Sequence, residues 1–157
     1  MSVKIPPRGT KGVPFPRPPG WLAKRMSGMQ LRWFRRNRGG RTQSGLHTLI
    51  LQTVGARTGE PRTAMLGYVE EPPDSWLVVA SVAGAARNPG WLYNLAKRPD
   101  ATVEFGDGTR VPVTAESLEG EELESAWSLI AADGPEYVKY RTQTDRELPV
   151  VRLRRRT

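Results

Sequence analysis

Residues 46–69 read LHTLILQTVGARTGEPRTAMLGYV, and this stretch decides the fold class. Leu46 to Val54 is rich in β-branched and apolar residues and ends at Gly55, which is typical of a strand. A turn containing glycine and proline follows, and Thr63 to Val69 predicts a second strand. Because no helix separates these strands, the pattern favours an antiparallel sheet over a doubly wound parallel one.

Four further segments continue the strand pattern. Trp76 to Ala80 predicts a mostly apolar third strand. Ala101 to Phe105 and Thr109 to Ala115 alternate on either side of a Gly-Asp-Gly turn, which indicates a hairpin, and Leu148 to Leu153 predicts the last strand. About six short antiparallel strands with a few short helices predict a compact barrel of the α+β or mainly β class.

Two helices are expected between the later strands. Asn88 can cap the first, with Pro89 at its first helical position. Leu123, Trp127 and Ile130 share one face of the second, which indicates an amphipathic helix packed on the sheet.

The first 41 residues differ from the rest, so we divide the chain into 1–41 and a barrel domain of 42–157. Met1 to Pro19 is rich in Pro, Gly, Lys and Arg and predicts a mobile arm. From Gly20 to Phe34 apolar and basic residues alternate near helical spacing, which predicts a basic amphipathic helix. Such a helix could pack on the domain or rest on an anionic membrane surface, and Arg35 to Arg41 would be a polar linker.

Composition excludes several kinds of catalyst. The chain of 157 residues has no cysteine and one histidine, His47. Disulfides and thiolate chemistry are therefore absent, soft ligands are too few for an ordinary zinc or copper site, and we expect no metal. His47 is not accompanied by a G-x-S-x-G elbow. Any catalysis is expected to depend on an organic cofactor.

The net charge of +8 is unevenly distributed. Residues 1–59 carry 12 basic and no acidic residues, residues 60–149 carry 8 basic and 16 acidic ones, and the last eight residues carry four arginines. An acidic body with a basic arm and a basic C-terminal tail indicates a local anionic partner such as a phosphate group, a polyanionic cofactor or an anionic membrane surface. It argues against a nucleic-acid-binding face.

The sequence also carries an expectation about location. No apolar run is long enough to span a bilayer, and the basic N-terminal residues precede no apolar segment of a signal peptide. We expect a cytoplasmic protein that could lie peripherally on the inner face of the membrane.

Three segments could carry chemistry. In the turn after the first strand, Gly55 and Gly59 allow tight backbone geometry while Arg57 and Arg62 could clamp a phosphate or carboxylate. The segment from Val78 to Gly84 ends a buried strand in small residues, which would let a flat ring approach the backbone before the helix that starts near Pro89.

The third segment contains two phenols, Tyr137 and Tyr140, at helical spacing. They could line a pocket or donate a proton. Taken singly, the first and third segments favour ordinary turn and packing roles, and the second is also compatible with an ordinary strand-to-helix connector.

The three segments together resemble the deazaflavin-dependent nitroreductase family of the split β-barrel oxidoreductases. The first resembling motif is Thr53 to Arg62 with Leu66-Gly67-Tyr68, and the second is Ala80-Ser81, Gly84 and Asn88 to Leu95. The third is Tyr137, Tyr140 and Leu148 to Val151. The resemblance covers about Gly45 to Leu153, with the motifs in the same order.

The resemblance implies a split β-barrel that binds coenzyme F-420, a deazaflavin with a phosphate-bearing oligoglutamate tail. It implies hydride transfer from the reduced coenzyme to a small electron-poor acceptor such as a quinone, an enone or a nitro compound. The residues it assigns to the anionic tail are Arg57, Thr58, Gly59 and Arg62. Those it assigns to the rest of the cofactor site are Ala80, Ser81, Val82, Gly84, Asn88, Pro89, Trp91 and Asn94. Those it places on the substrate side are Tyr68, Ser81, Tyr137 and Tyr140, with a tyrosine or solvent supplying the proton.

Departures from the family pattern concern the substrate more than the cofactor. Where this chain has Val82 and Ala83, the family often has Lys or Asn and Gly, respectively. Where this chain has Asn88, the family usually has His. These differences put reduction of nitroimidazoles in doubt. The alternatives are a protein that binds F-420 without turnover and a reductase that uses flavin mononucleotide (FMN) on the same fold. The basic arm could fold over the cofactor tail, and monomer and homodimer remain equally open.

Overall fold

The computed structural model describes residues 2–10, 12, 19–41, 45–80, 88–133, 139, 141–144 and 148–156. The helices are α1 (Gly20–Arg36), α2 (Gly90–Lys97) and α3 (Gly120–Asp133). The strands are β1 (Thr48–Val54), β2 (Pro61–Gly67), β3 (Val69–Glu71), β4 (Ser75–Val79), β5 (Asp100–Glu104), β6 (Arg110–Ser117) and β7 (Val150–Arg155).

The strands form one antiparallel sheet in the order β2-β1-β5-β6-β7-β4-β3. Its two edge strands, β2 and β3, are separated along the chain by Tyr68 alone. The sheet must therefore curl until its edges nearly meet, which makes it a split barrel and confirms the predicted fold class. The prediction of one continuous strand from Thr63 to Val69 was wrong, because the chain crosses between the two edges at Tyr68.

Side chains along the strands alternate between two hydrophobic cores, one inside the barrel and one on the outer face of the sheet that α3 covers. On β4, Trp76 and Val78 point into the barrel, whereas Leu77 and Val79 belong to a second cluster outside it. Trp127 of α3 lies in that second cluster. The predicted amphipathic helix is thus confirmed.

Helix α1 is attached to the barrel by the face that carries Phe34. Phe34 is 1% exposed, and Arg35 donates from Nε and Nη2 to the two carboxylate oxygens of Glu104, at 3.0 and 2.9 Å. The linker that follows the helix lies against the barrel. A Cβ added to Gly106 would lie 2.1 Å from the carbonyl oxygen of Arg38, so the backbones of these two residues are in direct contact. The packed-helix alternative is therefore correct for this face of α1.

The sequence predicted free basic segments at both ends of the chain, but the described residues of both ends are bound to the barrel. Val3 is 6% exposed and belongs to the barrel core, so residues 2–6 do not form the predicted mobile arm. At the other end Arg154 and Arg155 lie within β7, and Arg152 pairs with three carboxylates that belong to Glu71, Glu116 and Glu122. These arginines neutralise the acidic body instead of forming a tail.

The start of α2 also corrects the sequence prediction. Pro89, with φ −70° and ψ 151°, occupies the N-cap position, and no side chain caps the helix. Asn88 therefore lies one residue too early to act as the cap. Its Nδ2 instead donates to the carbonyl oxygen of Pro6 at 2.9 Å.

Candidate functional site

A cleft of about 1050 Å³ lies where the β1–β2 turn, the start of α2, helix α1 and the N-terminal segment meet. Its volume is at the upper end of the range usual for cofactor sites. The cleft is lined by Arg8, Ala23, Ser27, Thr53, Gly55, Ala56, Arg57, Thr58, Arg62, Thr63, Ala64, Asn88, Gly90, Trp91, Tyr93 and Asn94.

The β1–β2 turn presents unpaired backbone donors at this cleft. Gly55 N donates to Glu60 O at 2.8 Å, and Gly59 N donates to Gly55 O at 2.9 Å, which closes a compact loop. Gly59 has φ +72°, a conformation that glycine adopts without strain. Within the described residues, the amides of Arg57 and Thr58 donate to no protein acceptor. Successive free amides in a turn form a concavity that binds anions.

Helix α2 and the residue that follows it hold this turn in place through three side chains. Asn94 accepts a hydrogen bond from the amide of Ala56 at 2.9 Å and donates from Nδ2 to Thr53 Oγ1 at 3.0 Å. Lys97 and Arg98 donate to the carbonyl oxygens of Ala56 and Gly55, at 2.7 and 3.3 Å. These bonds fix the backbone of the turn beside the cleft-lining residues Arg57 and Thr58.

Among the described residues that line the cleft are three arginines, Arg8, Arg57 and Arg62, and no carboxylate. Arg62 forms an exposed ion pair with Glu60 at 3.2 Å, which is worth little in solvent. Within the described part of the chain, neither Arg8 nor Arg57 has a carboxylate within 4.0 Å. A cluster of positive side chains with no acidic partner repels itself, and binding of an anionic ligand relieves that repulsion.

Most of the predicted cofactor residues in the described ranges come together here. The cleft is lined by Arg57, Thr58, Arg62, Asn88, Trp91 and Asn94, and Gly59 and Pro89 adjoin it in the chain. Ala80 is fully buried at the end of β4, where its amide donates to Pro149 O at 2.9 Å. Ser81, Val82, Gly84, Tyr137 and Tyr140 lie outside the described residues.

Tyr68 lies away from the residues that line the cleft. Its ring packs edge-on against Phe105, with centroids 5.5 Å apart, at the point where the chain crosses between the sheet edges. Burial raises the pKa of the Tyr68 phenol, and the negative charges of Glu70 and Asp107 raise it further. The phenol therefore keeps its proton at neutral pH. Its assignment to the substrate side remains a prediction.

The sequence analysis expected that the basic arm could fold over the cofactor tail, but it assigned none of the arm's residues to the site. Arg8 and two small residues of α1, Ala23 and Ser27, line the cleft opposite the β1–β2 turn. The available signal was that the arm is basic and that Ala23 and Ser27 are four residues apart on one helical face. Nothing local in the sequence tells which strand or turn this face contacts.

The residues present fit the coenzyme that the resemblance implies. A tail with several negative charges requires positive charge and free amide donors, and both occur together at the β1–β2 turn. The lining also includes Trp91, whose indole packs in the barrel core and is 9% exposed.

The curled antiparallel sheet and its basic cleft define a split β-barrel protein with a site for an anionic cofactor. A family model described as F-420H(2)-dependent quinone reductase matches residues 26–154, which is most of the chain. The chain belongs to this family.

Individual relatives agree with the family. A Mycobacterium tuberculosis protein named F-420H(2)-dependent quinone reductase is 38% identical over 112 residues, covering 69% of this chain and 74% of that protein. A solved structure of an F-420-H2-dependent reductase has a TM-score of 0.62 at 37% identity and covers 68% of this chain and 92% of that one. A second solved structure, described only as a domain-swapped dimer, has a TM-score of 0.63 at 32% identity. The match covers 84% of this chain and 98% of that one.

Proposed function

We propose that this protein is an oxidoreductase that uses reduced coenzyme F-420 to reduce a quinone or a similar electron-poor acceptor. The cleft carries the proposal, because its described lining residues combine three arginines and free turn amides with the indole of Trp91, and none of them is a carboxylate. Membership of the F-420H(2)-dependent quinone reductase family supports it.

The described residues divide the work along the cleft. Arg57, Arg62 and the amides of Arg57 and Thr58 bind the phosphate and carboxylates of the tail. Trp91, at the start of α2, supports the ring portion at the other end. When bound, the reduced coenzyme supplies a hydride.

The substrate side is assigned from the sequence resemblance. Ser81, Tyr137 and Tyr140 are the proposed contacts for the acceptor, and a phenol or solvent provides the proton. Tyr68 is the fourth candidate, and its phenol, whose pKa is raised by burial, is protonated at neutral pH.

Anaerobic oxidation of the reduced coenzyme tests turnover directly. Menadione, a cyclic enone and a nitroaromatic should be compared at equal concentration by following the absorbance of the oxidised coenzyme. We expect the quinone to be reduced fastest. Tight coenzyme binding with no protein-dependent oxidation by any acceptor would instead identify a binding protein without turnover. Turnover with reduced FMN alone would identify a flavin reductase.

We propose in addition that the outer face of α1 rests on an anionic membrane. Leu22, Met26, Met29 and Trp33 recur at helical spacing, and the last three are 52, 55 and 48% exposed. A row of exposed arginines runs beside this stripe: Arg25, Arg32 and Arg36. An apolar stripe bordered by positive charge is the pattern of helices that lie in the headgroup region. In the described residues, each helix is too short or too polar to cross a bilayer.

Vesicle sedimentation tests this second proposal. We expect binding to vesicles that contain phosphatidylglycerol and little binding to phosphatidylcholine alone. Each basic residue near the surface contributes about 1 kcal/mol, so Arg25→Ala/Arg32→Ala should weaken binding roughly 30-fold. Met26→Ser/Met29→Ser should also weaken it. Equal binding to both kinds of vesicle would exclude the preference for anionic lipid, and no binding to either would exclude the membrane role; neither outcome affects the reductase proposal.

A further inference from the structure

Residues 2–8 cross the surface of the barrel as a segment, here called the strap, that is held at two points. The first is the end of β6, where Ser117 N donates to Ser2 O at 3.1 Å and Lys4 N donates to Ser117 Oγ at 2.9 Å. Between these bonds Val3 inserts into the barrel core, and Lys4 pairs with Glu119. The strap is therefore bound to the fold and does not depend on ligand for its position.

The second attachment lies at the cleft itself. Asn88 precedes α2, is 6% exposed and lines the cleft, and its Nδ2 donates to Pro6 O at 2.9 Å. Arg8 follows two residues later and also lines the cleft. Because two residues span less than about 7 Å, the bond at Pro6 restricts where Arg8 can reach.

The positive charge of Arg8 is available to bind an anionic ligand. It faces the same cleft as Arg57 and Arg62, and no carboxylate of the described residues lies within 4.0 Å of its guanidinium. Three positive side chains around one cleft repel each other, and a polyanion that contacts all three removes that repulsion. An arginine presented by a docked segment also loses less conformational entropy on binding than one on a free arm.

We infer that the strap is a built-in third side of the cofactor site, in which Arg8 binds the anionic tail and Asn88 is a positioning residue. This inference rests on the proposed function, since it assigns the tail of the same coenzyme. It adds a phosphate- or carboxylate-binding residue that the β1–β2 turn motif does not contain.

The first experiment compares two ligands. Affinities of purified full-length protein for oxidised F-420 and for the same deazaflavin without phosphate and glutamates should be measured by fluorescence titration. Arg8→Ala should weaken binding of F-420 about tenfold and leave binding of the tail-free deazaflavin unchanged. Arg25→Ala is the matched control, because it removes the same charge from an exposed position of α1 outside the cleft lining.

The second experiment separates positioning from direct contact. If Asn88 acts through the strap, Asn88→Ala should weaken F-420 binding in the wild type but add little in the Arg8→Ala background. It should also speed tryptic cleavage after Lys4 and Arg8 in the absence of ligand, measured by intact mass. A purely structural role would lower thermal stability and affect both ligands equally.

The outcomes distinguish the inference from the function on which it rests. If the wild type binds F-420 and Arg8→Ala and Arg25→Ala change its affinity equally, the proposed role of Arg8 in the strap is wrong. The reductase proposal would then still stand. Additive losses from Arg8→Ala and Asn88→Ala would overturn the positioning role of Asn88. No F-420 binding in the wild type would overturn both the function and the strap.

Discussion

Replacing Asn94 by alanine should loosen the anion-binding turn without removing any charge. In the wild type this side chain accepts from the amide of Ala56 and donates to Thr53 Oγ1. Each hydrogen bond contributes about 1 kcal/mol net, and a partly buried amide left without a partner costs about 1–3 kcal/mol. Asn94→Ala should therefore reduce the free energy of unfolding by about 2–4 kcal/mol, part of which appears as disorder of the turn.

Two measurements check this prediction together. Denaturant unfolding gives the stability, and titration with F-420 gives the affinity, which should fall at least tenfold because the free amides of Arg57 and Thr58 lose their fixed geometry. Asn94→Asp retains the acceptor for Ala56 and should recover part of the stability but not of the affinity, because it adds a negative charge to the cleft lining. Asn37→Ala is the control, since it removes one exposed side-chain bond, to Trp33 O, far from the turn. Unchanged affinity in a destabilised Asn94→Ala variant would refute the claim that the turn binds the coenzyme.

Further predictions concern the attachment of α1. The double hydrogen bond from Arg35 lowers the pKa of Glu104, so its stabilisation is complete above the ordinary carboxyl pKa and is lost as pH falls through the lowered value. Glu104→Gln should cost about 1–2 kcal/mol at pH 7, and chemical denaturation should show this difference shrinking by pH 3. Gly106→Ala should destabilise by about 1–3 kcal/mol or prevent folding, because the added Cβ meets the Arg38 carbonyl at 2.1 Å. Gly28→Ala, whose Cβ would meet only the Arg32 side chain at 3.6 Å, should raise the melting temperature, since alanine favours a helix by about 1 kcal/mol.

Local patterns in the sequence determine much of the sheet. The hairpin around Gly106 and Gly108 was predictable because its residues alternate and its turn needs the positive φ of Gly108, +89°. The continuous strand through Tyr68 was wrong because nothing local marks a crossing between sheet edges. That break follows from closure of the barrel, which depends on all seven strands.

The part of the site that belongs to the recognised motifs was predictable from the sequence, whereas the position of Arg8 was not. Arg57 and Arg62 belong to one turn, so their proximity is visible in the sequence. Arg8 reaches the same cleft only because Val3 enters the barrel core and Asn88 holds Pro6, two tertiary contacts between residues far apart in the chain. For the same reason Asn88 was misassigned as a helix cap: its partner is more than 80 residues away.

Selective binding of the deazaflavin through the basic cleft is the central claim, and a parallel titration tests it most directly. Purified protein should be titrated with oxidised F-420 and with FMN, in the wild type and in Arg57→Ala/Arg62→Ala. We predict that the wild type prefers F-420 and that the double variant loses at least 100-fold in affinity, since each charged contact is worth about 1.5–3 kcal/mol. Failure of the wild type to bind F-420, binding of FMN alone, or full affinity in the double variant would contradict the account.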